Sequence, residues 1–107
     1  MNTGLEYQKV CELDEVWEGE MECFEVGGET VLIVHAGDGE VRAYDPACPH
    51  QGHALIEGDL EDCVLTCGAH LWQFDVVTGK GINPTDTALI SYPVKMKEGA
   101  VWVAFPQ

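Results

Sequence analysis

A chain of 107 residues with 46% hydrophobic content can build one globular core but has no room for a second catalytic module. Nineteen acidic against five basic residues give a formal net charge of −14, which argues against nucleic acid and anionic membrane surfaces as partners and favours a partner with a basic face. No apolar run approaches the length that spans a bilayer, Met1 to Gln8 lack the order of a secretory signal, and the five cysteines are an odd number. The expectation is a monomeric, cytoplasmic protein whose cysteines serve metal ligation in preference to a disulfide framework.

In chain order, Tyr7 to Leu13 reads as a strand, and Leu13, Val16 and Trp17 stand at helical spacing for one turn that stops at Gly19. Met21 to Val26 and Thr30 to His35 form a hairpin, because Gly27-Gly28 supplies the positive φ angles of a tight turn. Gly37-Asp38-Gly39 turns the chain again and Val41 to Tyr44 continues the meander. From Asp45 the texture changes: Pro46, Pro49, Gly52, Gly58 and Gly68 interrupt any long element, with Cys63 to Thr66 and Leu71 to Phe74 as short strands. Thr78-Gly79-Lys80-Gly81 is a further turn, and Asn83-Pro84 keeps the path irregular. Tyr92, Val94 and Met96 alternate with Lys95 and Lys97, Glu98-Gly99 turns, and Val101, Val103 and Phe105 alternate on a closing strand. The pattern predicts an all-β sandwich or barrel of antiparallel sheets.

The irregular stretch holds two short blocks, Cys48-Pro49-His50 and, after sixteen intervening residues, Cys67-Gly68-Ala69-His70. Each combines a soft thiolate with an imidazole. Two cysteines and two histidines can hold one tetrahedral zinc, or the two irons of a [2Fe–2S] centre in which histidines replace cysteines on one iron. Structural zinc sites usually pair cysteine with cysteine and histidine with histidine on local turns, whereas a mixed block suits a loop that gives one ligand to each of two irons. Pro49 stiffens the first loop, while Gly68 and Ala69 let the second backbone approach the sulfides with its N–H groups.

C-P-H followed by C-G-A-H resembles the Rieske motif, and the turn-rich frame resembles the Rieske fold over nearly the whole chain. More narrowly, "CPHQ", "CGAHLWQF" and "TGKGINP" resemble the ferredoxin component of toluene and alkene monooxygenases, with which ferredoxins of ring-hydroxylating dioxygenases share much. The resemblance implies a single domain over 1–107, a Rieske-type sandwich with a small loop-rich cluster-binding subdomain at about 45–84. It implies one [2Fe–2S] cluster held by Cys48, His50, Cys67 and His70. It also implies an electron carrier, not an enzyme, between an NADH-dependent flavin reductase and the hydroxylase of a multicomponent oxygenase. Consistent with a carrier, no G-x-G-x-x-G or P-loop segment is present. Pro49, Gln51, Ala69, Leu71 and Pro84 would form the contact tip for both partners. Alternatives are a zinc-stabilised acidic binding module and, with the fold kept but electron transfer lost, the small Rieske-like subunit of a nitrite reductase. The four intact ligands argue against the latter.

Other candidates read as structural. His53 is expected to be a loop residue, His35 a hydrogen-bonded strand histidine, and Cys11, Cys23 and Cys63 small buried hydrophobes. Trp72 is expected to pack beneath the cluster and Trp17 and Trp102 in the core, with Glu57, Asp59, Glu61 and Asp62 as a solvated face. Relative to high-potential Rieske proteins, His53 and Ala69 stand where a bridging cysteine pair would be. Trp72 and Phe74 stand where serine and tyrosine hydroxyls would donate to the cluster. Fewer donors stabilise the reduced state less. Redox titration is therefore expected to give a midpoint toward the low end of the roughly −150 to +300 mV Rieske range; a strongly positive value would overturn this reading.

Overall fold

Val31, Leu32, Ile33 and Val34 are consecutive and all fully buried, which a strand achieves only when both of its faces are covered. In the computed structural model, which describes residues 6–47, 54–68, 71–83 and 87–105, they lie on β3 (Glu29–His35), inside a central sheet. Its neighbours are β2 (Glu20–Val26) on one side and β4 (Val41–Tyr44) then β9 (Ser91–Tyr92) on the other. Gly27 and Gly28, at φ 59° and 86°, make the tight β2–β3 turn that closes on the pair Val26 and Glu29.

The two faces of β3 serve two cores. Val31 and Ile33 join Cys11, Val16, Ala43, Val101 and Val103. These come in part from an outer sheet of β1 (Tyr7–Glu12), β11 (Ala100–Ala104) and β10 (Val94–Lys97). Leu32 and Val34 face the opposite way, joining Tyr44, Leu55, Leu65, Cys67, Phe74 and Val76. That second group draws on a sheet of short antiparallel strands: β5 (Asp59–Glu61), β6 (Val64–Thr66), β7 (Gln73–Asp75) and β8 (Gly81–Asn83). The result is a layered antiparallel all-β fold, as the sequence predicts. The third sheet occupies the segment between β4 and β9, so the chain leaves the central sheet, builds a separate layer and returns. Each fully buried aliphatic side chain contributes about 1.5–3 kcal/mol, so the four on β3 alone link the layers strongly.

The expected strand bounds hold to within a residue or two, and the differences have local causes. Leu71 has φ 60°, a left-handed turn conformation, so β7 starts at Gln73 and not at Leu71. Asp62, at φ 58°, places Cys63 in a turn before β6. β5 runs through acids read as a solvated face; Glu57, Asp59, Glu61 and Asp62 are all exposed, but Leu60 between them packs on the core. β8 falls where an irregular path was expected. The core expectation for Trp17 is wrong: its side chain is 68% exposed, because Val16 takes the buried position and the indole Nε1–H donates to the Asp14 carbonyl at 2.8 Å. Trp102 is half-buried on the outer sheet, with the Lys97 ammonium 5.4 Å from its ring centroid. Met96, placed on the apolar alternation, is exposed.

Two contacts fasten the third sheet. Tyr44 donates its hydroxyl to the Val76 carbonyl at 2.5 Å. At Gly58 a Cβ would lie 2.0 Å from the Thr66 carbonyl oxygen and 3.3 Å from Cys67 Cα, so only glycine lets these backbones meet. Gly58→Ala is therefore expected to destabilise the fold by about 1–3 kcal/mol, seen as a lower denaturation midpoint, with Gly28→Ala, at a turn with open space around it, as the contrast for strain alone.

Candidate metal centre

Of the four ligands predicted from sequence, Cys67 is described; Cys48, His50 and His70 lie outside the described residues. So do His53, Ala69 and the tip positions Pro49, Gln51 and Pro84. What the structure defines is the pair of stems from which the two motif blocks emerge. They belong to the same side of the central sheet, on the core that contains Cys67.

The first stem is closed by an antiparallel bridge between Ala47 and Ala54 and by the Leu55 N–H donating to the Pro46 carbonyl at 2.9 Å. Asp45 braces it from below. One of its carboxylate oxygens accepts the Ala47 N–H at 2.9 Å and the other accepts the Tyr92 hydroxyl at 3.1 Å, while its own N–H donates to Ile90. Sequence reasoning passed over Asp45, although an Asp-Pro pair at the start of a turn is a signal for this Asx geometry. The bracing ties the block to β9, a strand forty-odd residues later in the chain.

The second stem continues the β6–β7 pairing. Thr66 is opposite Gln73; next, the Cys67 N–H donates to the Trp72 carbonyl at 2.7 Å, and the Cys67 carbonyl accepts the Leu71 N–H at 3.0 Å. Cys67 is thus fixed through both its backbone groups at the mouth of a tight loop. It is 1% exposed and forms no disulfide, and it belongs to the apolar cluster that includes Leu55, Leu65 and Phe74. A free thiol at a rigid loop mouth against a dry wall fits a soft metal centre whose electron must not be lost to water. Leu71 then projects outward, 69% exposed, from a left-handed backbone that leucine adopts only at a cost.

The other described cysteines are Cys11, Cys23 and Cys63. Burial pushes the Cys11 thiol up to about 11 and raises Cys23 as well, which keeps both as neutral thiols and not as the thiolates that bind metal. Cys63 packs half-buried on the same core as Cys67. His35 sets its Nδ1 2.8 Å from the Val16 carbonyl, the structural role expected of it. Trp72 is half-buried against that core and Phe74 fully buried in it, so the two positions lacking hydroxyls are packing positions. Among the described residues no three histidine, cysteine or acidic side chains converge as a separate metal site.

A family model described as the Rieske [2Fe-2S] domain matches residues 6–93. The ferredoxin component of the alkene monooxygenase system of Xanthobacter autotrophicus is 49% identical over 100 residues, covering 92% of this chain and 81% of that protein. The ferredoxin component of biphenyl 2,3-dioxygenase of Rhodococcus jostii is 38% identical over 96 residues, covering 89% of each. Among solved structures, a chain from the complex of reduced oxygenase and oxidized ferredoxin in carbazole 1,9a-dioxygenase superposes with a TM-score of 0.81 at 30% identity, covering 94% of both chains.

The strained, exposed Leu71 permits a direct check. Leu71→Gly removes the backbone penalty and no buried surface, so melting is expected to stay level or rise. Leu71→Val, β-branched at positive φ, is expected to lose about 1–2 kcal/mol.

Proposed function

Since the chain belongs to the Rieske [2Fe-2S] domain family, we propose that Cys48, His50, Cys67 and His70 hold its cluster, with the cysteines on one iron and the histidines on the other. The protein is a ferredoxin: an electron-carrying component of an oxygenase system with a Rieske-type [2Fe–2S] cluster as its cofactor. In the reading we propose, it receives electrons from an NADH-dependent flavin reductase and delivers them to the hydroxylase of a di-iron alkene or aromatic monooxygenase. The observation that carries this choice of system is the 49% identity to an alkene monooxygenase ferredoxin across 92% of the chain. The 38% identity to a biphenyl dioxygenase ferredoxin makes a ring-hydroxylating system the second reading.

When bound, the cluster supplies a one-electron couple. The chain's own residues supply the rest. The Cys67 backbone hydrogen bonds and the Asp45 bracing fix the two stems from which the blocks emerge, which would limit reorganisation on a change of charge. Leu55, Leu65, Phe74 and Val76 close the inner side to water, and Leu71 offers an apolar contact at the outer side. The surplus carboxylates set long-range attraction to a basic partner face, and a small contact at the proposed tip suits a transient encounter burying less than about 1,200 Å².

The same reading treats 1–107 as one domain with its cluster-binding part at about 45–84; the sheet β5 to β8 packing on one core between β4 and β9 supports it. The reading also takes the carrier as cytoplasmic and monomeric, and the charge of −14 argues against nucleic acid and anionic membrane surfaces as partners; among the described residues no helix is long and apolar enough to cross a membrane.

The purified protein is expected to be brown, with about two irons and two acid-labile sulfides per chain, and Cys67→Ser to lose them while Cys11→Ser keeps them. A colourless protein with one zinc would establish the binding-module alternative instead. In a system reconstituted with reductase and hydroxylase, turnover is expected to fall as ionic strength rises; a flat salt response counts against steering, and faster turnover with a dioxygenase's oxygenase component favours the second reading.

A further inference from the structure

A groove of about 450 Å³ lies where the short turn Leu13–Glu15 meets the β10–β11 turn, apart from everything the cluster uses. Leu13, Val16 and Trp17 give it an apolar lining, and Asp14, Glu18 and His35 line it with polar groups. Leu13 and Val16 belong to the core between the central and outer sheets, whereas Cys67 belongs to the core on the opposite face of the central sheet. Leu13 and Val16 of the groove and the Cys67 side chain therefore pack on opposite faces of the central sheet.

Its most exposed aromatic is rigid. Trp17 is 68% exposed, yet its Nε1–H is held by the Asp14 carbonyl at 2.8 Å and its own carbonyl accepts the Glu20 N–H at 2.9 Å. The flanking backbone is pinned by Leu13 N–H to Gly99, Val16 N–H to Leu13, Gly19 N–H to His35, and His35 Nδ1 to Val16. A fixed indole face turned to solvent beside an apolar hollow is the kind of anchor that dominates protein interfaces. The charge around it is one-sided: residues 12–20 carry Glu12, Asp14, Glu15, Glu18 and Glu20 and no base. Glu12 is paired with Lys9, Glu15 accepts the Glu12 N–H, and Glu20 faces the Trp17 N–H. Asp14 and Glu18 have no ion pair among the described residues.

We propose that this groove docks an arginine- or lysine-bearing loop of one protein partner of the electron-transfer chain, a second contact besides the cluster tip; the proposal rests on the electron-carrier reading above. The cationic head stacks on Trp17 between Asp14 and Glu18, and the aliphatic stem lies on Leu13 and Val16. Complementarity selects that occupant, since an apolar stem ending in a positive charge satisfies both halves of the lining. A second copy of this chain does not suit: each copy carries −14, and four of its five bases are engaged, Lys9 with Glu12, Arg42 with Asp38, Lys95 over Tyr7 and Lys97 over Trp102. Because the groove's Leu13 and Val16 and the proposed ligand Cys67 pack on opposite faces of the central sheet, the contact anchors the partner and does not carry the electron.

The test uses holo-ferredoxin in the two half-reactions, reduction by the reductase and oxidation by the hydroxylase. Trp17→Ala, and separately the pair Asp14→Asn with Glu18→Gln, are expected to raise KM for ferredoxin about tenfold in one half-reaction with kcat, midpoint potential and the spectrum of the reduced cluster unchanged. Trp17→Phe, which keeps an aromatic face, is expected to recover most of the affinity. The pair Glu22→Gln with Glu25→Gln removes the same charge from exposed positions on β2 and is expected to change KM less than about twofold. Unchanged KM in both half-reactions, or an equal rise in the β2 variant, overturns the groove; loss of electron transfer with a wild-type protein that holds no iron overturns the carrier reading instead.

Discussion

The double burial of β3 is the constraint on which the rest of this structure depends. A strand that alternates apolar and polar residues can support one core, but Val31 to Val34 leave no polar face, so both sides must be covered. The outer sheet of β1, β10 and β11 covers one side and the short-stranded sheet of β5 to β8 the other. A polar residue on either face of β3 would expose a whole layer to an unsatisfied group. The third layer has few residues per strand and would not persist alone; it is held because Leu32, Val34 and Tyr44 offer it a ready apolar surface.

The two stems of the proposed metal centre are fixed by that attachment. Cys67 continues a strand pair, its N–H and carbonyl still engaged in cross-loop hydrogen bonds, so the loop starts from sheet geometry and not from free coil. The other block is closed by the Ala47–Ala54 bridge and braced by Asp45, which reaches Tyr92 on the returning strand. Both stems therefore refer to the same central sheet, one through the β6–β7 layer and one through β4 and β9. Gly58 lets the two approach, because any side chain there would strike the Thr66 carbonyl. A carrier that must change charge with little rearrangement benefits from ligands mounted on such stems.

Charge is organised on a different scale. With nineteen acids and five bases, the surface cannot pair most of its carboxylates, and long-range attraction to a basic partner follows from composition alone. Where an acid happens to sit beside exposed aromatic surface, as at Asp14, Trp17 and Glu18, the general field becomes a local contact. The exposed Leu71 of the proposed tip and this acidic groove involve different residues, so close contact at one need not compete with steering at the other.

The Rieske family, the hairpin at Gly27-Gly28 and the all-β class were legible in the sequence, because each depends on local signals: two short Cys/His blocks, glycine's freedom at positive φ, and period-two alternation. The placement of Cys11 and Cys23 as packing thiols was legible for the same reason, since cysteine beside apolar neighbours on a strand tends to be buried. Tertiary structure alone decided which of two adjacent residues turns inward. Val16 and Trp17 both suit an apolar position at helical spacing; Val16 packs into the core with Val31, Ile33, Val101 and Val103, while the Asp14 carbonyl holds the indole outside it. It also made strands of the acidic run at β5 and the glycine-led β8: each pairs with its neighbour in the chain, β6 and β7, and the layer they complete forms because Leu60, Leu65 and Phe74 pack on a core that no local pattern registers. Finally it made Asp45 and Gly58 supports of the two stems that flank the motif blocks, through contacts with Tyr92 and Thr66 that exist only once the layers have closed.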